Sequence, residues 1–218
     1  MSQSTGLTIR RYRAADRADL QRIAADTAFF GEPVEHEMED RRLFLDFFYA
    51  YYTDIEPEHI WVACAEQQVV GFLTGCFNTA RKERIWQRQI LPRVLWRLFT
   101  GCYHLGRRTR RFMRALVAAG WRHENPTVDT HIYPAHLHIN LDASLRGQGL
   151  GRWLMQAYLD DLRANGVPGV HLGTTSYNIA ACQLYERMGF QLLAARPTRI
   201  WAHIIDRPIE LRAYGRLV

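Results

Sequence analysis

Between His136 and Asn165 the chain reads HLHINLDASLRGQGLGRWLMQAYLDDLRAN, and no other stretch restricts its fold as tightly. His136 to Leu141 alternates polar and apolar side chains with period two, which makes a strand with two unlike faces. Arg146-Gly147-Gln148-Gly149-Leu150-Gly151 follows at once, and then a helix. Three glycines in alternate positions leave the backbone bare, so several N–H groups can turn toward one anion, and the positive end of the helix adds to the attraction. Strand, turn and helix together make an anion cradle. No Gly-Lys-Ser or Gly-Lys-Thr follows, so it is not a Walker loop, and the spacing is not the GxGxxG of a dinucleotide fold.

The 218 residues, 48% hydrophobic and 23% charged, suit one globular domain or a domain with an insertion. No apolar run is long enough to span a bilayer and the N-terminal stretch has no apolar signal region, so a soluble cytoplasmic protein is expected. Cys64, Cys76, Cys102 and Cys182 stand far apart with no CxxC pair, which predicts reduced thiols and no metal site. The net charge of +6 is unevenly spread. Arg81 to Glu124 holds twelve Lys or Arg against Glu83 and Glu124, a net +10, so the remainder carries −4. Lys82 is the one lysine in the chain.

In chain order, Leu7 to Tyr12 reads as a strand, and a helix opening at Ala14-Ala15-Asp16 places Leu20, Ile23, Ala24 and Ala28 at helical spacing until Gly31-Glu32-Pro33 breaks it. A second helix over Asp40 to Tyr52 is crowded with aromatics, either packing or one wall of a substrate pocket. Ile60 to Ala65 and Val69 to Phe77 form a hairpin about Glu66-Gln67-Gln68. Asn78 to Asp129 interrupts this pattern with two amphipathic, arginine-rich helices, and Pro92 marks a break or kink in the first. The insertion has three readings: it packs its apolar stripe on the domain and solvates its arginines, lies on an anionic membrane surface, or faces an acidic partner. No nucleic acid is expected, because no reader motif accompanies the charge. Beyond the long helix, Gly169 to Thr175 reads as a strand and Asn178 to Met188 as a helix stopped by Gly189. Gln191 to Ala195, Ile200 to Ile204 and Ile209 to Val218 read as short closing strands.

Two of these segments carry a resemblance. Arg146, Gly149 and Gly151 fill the glycine-turn pattern of the GCN5-related N-acetyltransferases, and Asn178 through Tyr185 to Gly189-Phe190 is similar to that family's second motif, with Asn178 and Tyr185 on one helix face. The resemblance covers His131 to Phe190, extends over Leu7 to Phe77, and omits the basic insertion. It implies an α/β fold: a mixed, mostly antiparallel twisted sheet of six or seven strands, splayed at the central strand and flanked by helices. The whole chain, 1–218, is then one domain with an insertion at about 79–129.

The family binds acetyl-coenzyme A in the splay. Carried over, Ile139, Asn140 and Leu141 would pair with the pantetheine. Arg146, Gly147, Gln148, Gly149, Leu150, Gly151 and Arg152 would take the pyrophosphate. Asn178 would hold the pantetheine arm, and Tyr185 would protonate the departing thiolate. The implied reaction is direct acetyl transfer to an amine of a small molecule or peptide in a ternary complex, without metal. His136, His138 and Asn140 share a strand face, so His138 and then His136 are candidate bases, with His171, Glu35 and Glu37 behind them and a water relay as the alternative. A degenerate fold that only binds coenzyme A or a peptide, a protein docking through the insertion, and a homodimer stay open.

Overall fold

The computed structural model of the chain describes residues 6–145 and 147–218. One seven-stranded sheet, in the order β1-β2-β3-β4-β5-β7-β6, organises the molecule. Its strands are β1 (Leu7–Arg11), β2 (Trp61–Ala65), β3 (Gln68–Cys76), β4 (Ala135–Leu141), β5 (Gly169–Thr175), β6 (Gln191–Thr198) and β7 (Ile209–Leu217). Every neighbouring pair is antiparallel except β4 and β5. That parallel ladder holds only Ala135 against Val170 and His136 against His171. Beyond His136 the two strands part, while β3 stays paired with β4 as far as Leu141. The splay expected at the central strand is therefore present, and it opens one edge of β4 inside the sheet.

Helices cover both faces. The first face carries α1 (Arg17–Asp26), α2 (Arg41–Phe48), α3 (Ala50–Asp54), α4 (Thr79–Ile85), α5 (Leu91–Phe99) and α6 (Arg107–Trp121), whose apolar residues close a core around Phe72, Tyr51, Tyr52 and Phe112. The other carries α7 (Leu150–Ala164) and α8 (Ile179–Arg187), packed on Leu73, Leu137 and Leu172. Tyr158 of α7 pins that core to the strands: its hydroxyl donates to the Cys76 and His136 carbonyls at 3.0 and 3.1 Å, where β3 and β4 meet. A buried tyrosine needs such partners, because an unpaired hydroxyl there costs on the order of 1–3 kcal/mol.

Three local readings differ. The expected helix over Asp40 to Tyr52 is two: Asp40 caps α2 by accepting from the Arg42 and Leu43 N–H groups, and the chain turns at Tyr49 before α3. Pro92 does not end its helix, although the chain leaves α-helical geometry just before it. The turn before it, Trp86–Ile90, widens into a π-helical turn that absorbs the missing proline N–H, so the rod runs on from α4 into α5. Ile200 to Ile204 is a turn rather than a strand, so β6 pairs directly with β7.

Two carboxylates anchor the basic insertion, half-buried Glu39 near its middle and buried Glu124 toward its end. Glu39 accepts from the Arg108 and Thr109 N–H groups at 2.9 Å, capping α6 from another part of the chain. Burial alone would raise the Glu39 carboxyl, but the bonds from Thr109 and Arg108 outweigh it and bring its pKa down to about 2. A side chain at Gly106 would collide with that carboxylate. At the far end Glu124 accepts from the Thr198 hydroxyl at 2.8 Å and the Arg199 N–H at 3.0 Å. Among the described residues no helix is long and apolar enough to cross a membrane. All four cysteines are free thiols.

Candidate active site

The site grows from the opened edge of β4. Its even-numbered side chains, His136, His138 and Asn140, turn toward the face of Tyr49 and Tyr52, and Leu137, Ile139 and Leu141 turn toward α7 and α8. Backbone groups alternate as well. The Asp142 N–H donates to the Val70 carbonyl at 2.9 Å, so in this register even-numbered residues bond to β3 and the N–H and C=O groups of Ile139 and Leu141 face the gap. A cavity of about 640 Å³ occupies the gap and reaches both faces of the sheet.

On the α7 side the cavity is walled by the glycine turn. Gly147 and Gly149 have φ of 83° and 84°, a conformation other residues adopt only with strain, and a Cβ on either would meet nothing within 4 Å. The space in front of the turn is open, as an anion cradle requires. Gly151 is different: a Cβ there would lie 3.1 Å from Leu184 and 3.4 Å from Leu141, so glycine lets α7 approach β4 and α8. Arg152 lines the cavity, whereas Gln148 is exposed, Leu150 is buried in the core, and neither of these two lines it. Arg146, named from the sequence as a phosphate partner, lies outside the described residues.

On α8, Asn178 caps the helix with its carbonyl oxygen, 3.3 Å from the Ala181 N–H, and also lines the cavity. Tyr185 lies seven residues on, buried yet lining the same cavity, and among the described residues its hydroxyl has no hydrogen-bond partner. Burial raises its pKa, so the hydroxyl stays protonated and available as a donor.

His138 reaches the cavity from β4, and His136 stands behind it with ring centroids 4.4 Å apart. The His136 Nδ1 is 3.4 Å from the Tyr52 hydroxyl, and its ring is 4.9 Å from His171, whose Nδ1 donates to the Tyr133 carbonyl at 2.9 Å. The Lys82 ammonium lies 5.8 Å over the Tyr52 ring. Burial first, and Lys82 among the neighbouring charges, push all three imidazoles below the usual histidine range. His138 is open to cleft water although protein walls it on other sides, so screening makes its downward shift smaller than burial alone gives. A neutral ring results. Glu35 is paired with Arg41, Glu37 holds His203 at 2.9 Å, and neither lines the cavity.

The opposite wall was not legible in the sequence. Thr27, Phe30 and Trp201 close it, and the Phe30 ring stands 5.0 Å from both Tyr177 and Trp201. At its floor the Tyr49 hydroxyl donates to the Asn140 carbonyl oxygen at 3.1 Å, and the Asn140 amide donates to Thr27 Oγ1 at 2.9 Å. Phe29-Phe30-Gly31 after α1 was a visible signal, whereas Trp201 had none. The aromatic residues of Phe44 to Tyr52 do not line the cavity; they pack around the core, and Tyr49 also holds the lining residue Asn140 through its hydroxyl, while no lining residue comes from the insertion. Among the described lining residues the only formal charges are Arg152 and Arg187.

Residues 110–190 match the family model described as the Acetyltransferase (GNAT) family. Over 97% of its length the chain is similar to the crystal structure of SsHAT, with a TM-score of 0.74, 31% identity and 98% of that chain covered. A putative acetyltransferase, yncA from Salmonella typhimurium, solved with its cofactor acetyl-CoA, shares the fold at a TM-score of 0.56 and 16% identity, over 97% of this chain and 94% of that one. Among curated proteins, N-acetyltransferase 8B of Homo sapiens is 30% identical over 69 residues, and a mycothiol acetyltransferase of Nocardiopsis dassonvillei 44% identical over 54. These matches span 32% and 25% of this chain, and 30% and 16% of the relatives' own lengths.

Proposed function

The chain belongs to the GCN5-related N-acetyltransferase (GNAT) family, and from that premise we propose that it transfers the acetyl group of acetyl-coenzyme A to an amine of a small molecule or peptide, as one domain over residues 1–218 with the helices of about 79–129 inserted. The observation that carries this reading is that a single cavity through the split sheet joins the glycine turn, the free edge of β4, Tyr185 and His138.

The donor supplies an acyl group activated as a thioester. The N–H groups of the turn from Gly147 to Arg152 and the positive end of α7 suit its pyrophosphate. The gap-facing backbone of Ile139 and Leu141 suits the amide-rich arm, and Asn178 borders the same channel. The amine must lose a proton before it attacks. His138, neutral and in the cavity, accepts it directly or through water. As the nitrogen–carbon bond forms and the carbon–sulfur bond breaks, the Tyr185 hydroxyl gives its proton to the sulfur and regains one, through solvent, from the proton that the acylated nitrogen sheds, while a β4 N–H facing the gap meets the charge growing on the acyl oxygen. His136 does not line the cavity, so it acts by supporting His138.

Calorimetry with acetyl-coenzyme A, followed by a thiol-release assay over amines, amino acids, aminoglycosides and peptides, tests the proposal. Binding in a one-to-one complex and thiol release dependent on an amine are expected. Absence of binding would sink it, and binding without release by any amine would reduce the protein to a coenzyme A carrier.

A further inference from the structure

The arginines of the insertion divide into two sets. Those turned toward the domain have carboxylates: Arg97 meets Asp46, Arg93 lies 3.6 Å from Asp54, and Arg111 lies 3.7 Å from the wholly buried Glu37. Those turned outward do not. Among the described residues none of Arg84, Arg88, Arg107, Arg110 and Arg114 is in an ion pair, and all are exposed.

Each outward set continues into exposed apolar side chains on the same rod. Along α4, the π turn and α5, Arg84 and Arg88 give way to Pro92, Leu95, Trp96 and Phe99 at steps of three and four residues. Trp96 is 66% exposed and Phe99 85%. On α6 the exposed line runs Arg107, Arg110, Arg114, Val117, Trp121, and Trp121 is 83% exposed. Inward, the same helices bury Val94, Phe112 and Ala119, so they already possess a core-facing stripe. Outside that stripe the domain leaves Trp96 and Phe99 uncovered, their ring centroids 6.2 Å apart, and on α6 it leaves Trp121 uncovered. Large exposed aromatics beside unpaired arginines cost solubility in water and suit a boundary that is apolar on one side and anionic on the other.

We propose that the outer face of the α4–α5 rod docks the protein on an anionic lipid bilayer, with Trp96 and Phe99 entering the headgroup boundary and Arg84 and Arg88 meeting lipid phosphates. Charge complementarity selects this occupant. A second copy of the chain would set the same unpaired arginines against one another, since the segment from Arg81 to Glu124 carries a net +10. The cavity lies elsewhere, because no insertion residue lines it, so docking leaves it free to bind its substrates.

Vesicle sedimentation of the full chain tests this with phosphatidylcholine alone and with phosphatidylcholine mixed with phosphatidylglycerol. Sedimentation with the mixed vesicles only, weakened by salt, is expected. Arg84→Gln with Arg88→Gln should lower partitioning roughly thirtyfold, following the attraction of each basic side chain to an anionic surface. Trp96→Ser with Phe99→Ser should lower it by at least tenfold, on the order of the transfer energy of two large apolar side chains. Both variants should keep the far-ultraviolet spectrum and the acetyl-coenzyme A affinity of the parent, which separates lost docking from lost folding. No sedimentation with anionic vesicles, equal sedimentation with neutral ones, or a dimer in solution that Trp96→Ser with Phe99→Ser dissociates would each overturn the proposal.

Discussion

The two walls of the cavity are made of different material. The wall of α7 and α8 is largely backbone: a bare glycine turn, a helix N-terminus and the free edge of β4. The wall opposite is side chain, with Phe30, Thr27 and Trp201 brought together from the end of α1 and from the turn between β6 and β7. Backbone recognition demands particular conformations and hence glycine at fixed spacing, whereas an aromatic wall can be assembled from any segments that reach it. The first suits a donor shared by a whole family and the second an acceptor particular to one chain.

Gly149→Glu attacks the backbone wall most directly. It places a side chain at φ 84° and a negative charge where an anion is to sit, so loss of measurable acetyl-coenzyme A binding by calorimetry is expected, along with about 1–2 kcal/mol of stability from the strained backbone. Retained affinity would dissolve the contrast between the walls. Tyr185→Phe keeps the ring in its pocket and removes the free hydroxyl; kcat should fall on the order of a hundredfold with donor affinity unchanged. Turnover equal to the parent's would take Tyr185 out of the chemistry.

Phe30→Ala sharpens the comparison from the other side. It should raise the KM for the acceptor roughly tenfold, the scale of losing one large apolar contact, and leave donor binding as it was. A weaker donor and an unchanged acceptor would mean the walls have been assigned the wrong way round.

The smallest effect concerns pH. Because burial and Lys82 depress the imidazole of His138, its neutral form persists below the ordinary histidine range, and the acid limb of kcat/KM should lie below about pH 6.5. Lys82→Met removes one depressing charge, so the limb should move up by a few tenths of a unit, and Lys82→Arg should restore it. The same cluster predicts acid sensitivity of the fold. The three histidines are neutral when folded and free to take protons when unfolded, so stability should hold above about pH 6.5 and decline as pH falls below it. A melting temperature flat from pH 7 to 5 would contradict that.

Local rules reached a long way into this chain. Strand-like composition and alternation found β1 to β5, helical spacing and glycine stops found α1, α7 and α8, and glycine with asparagine marked both ends of the α7–α8 wall, since these signals need only neighbouring residues. They failed where distant contacts decide. The run from Asp40 to Tyr52 has helical composition throughout, yet it bends at Tyr49, whose hydroxyl reaches Asn140 on β4. Ile200 to Ile204 has strand composition but forms a turn, and it carries Trp201 to the cavity.

The sequence by itself therefore determined the fold class, the glycine turn and the strand and helix that flank it, because each rests on backbone conformation and on spacing within one element. Tertiary structure alone decided the rest. It turned His138 into the cavity and left His136 behind it, freed the backbone of Ile139 and Leu141 by ending the β4–β5 ladder after His136, and raised an aromatic wall from segments about 170 residues apart. Burial and pairing belong to the neighbours a residue acquires on folding, and no local pattern records them.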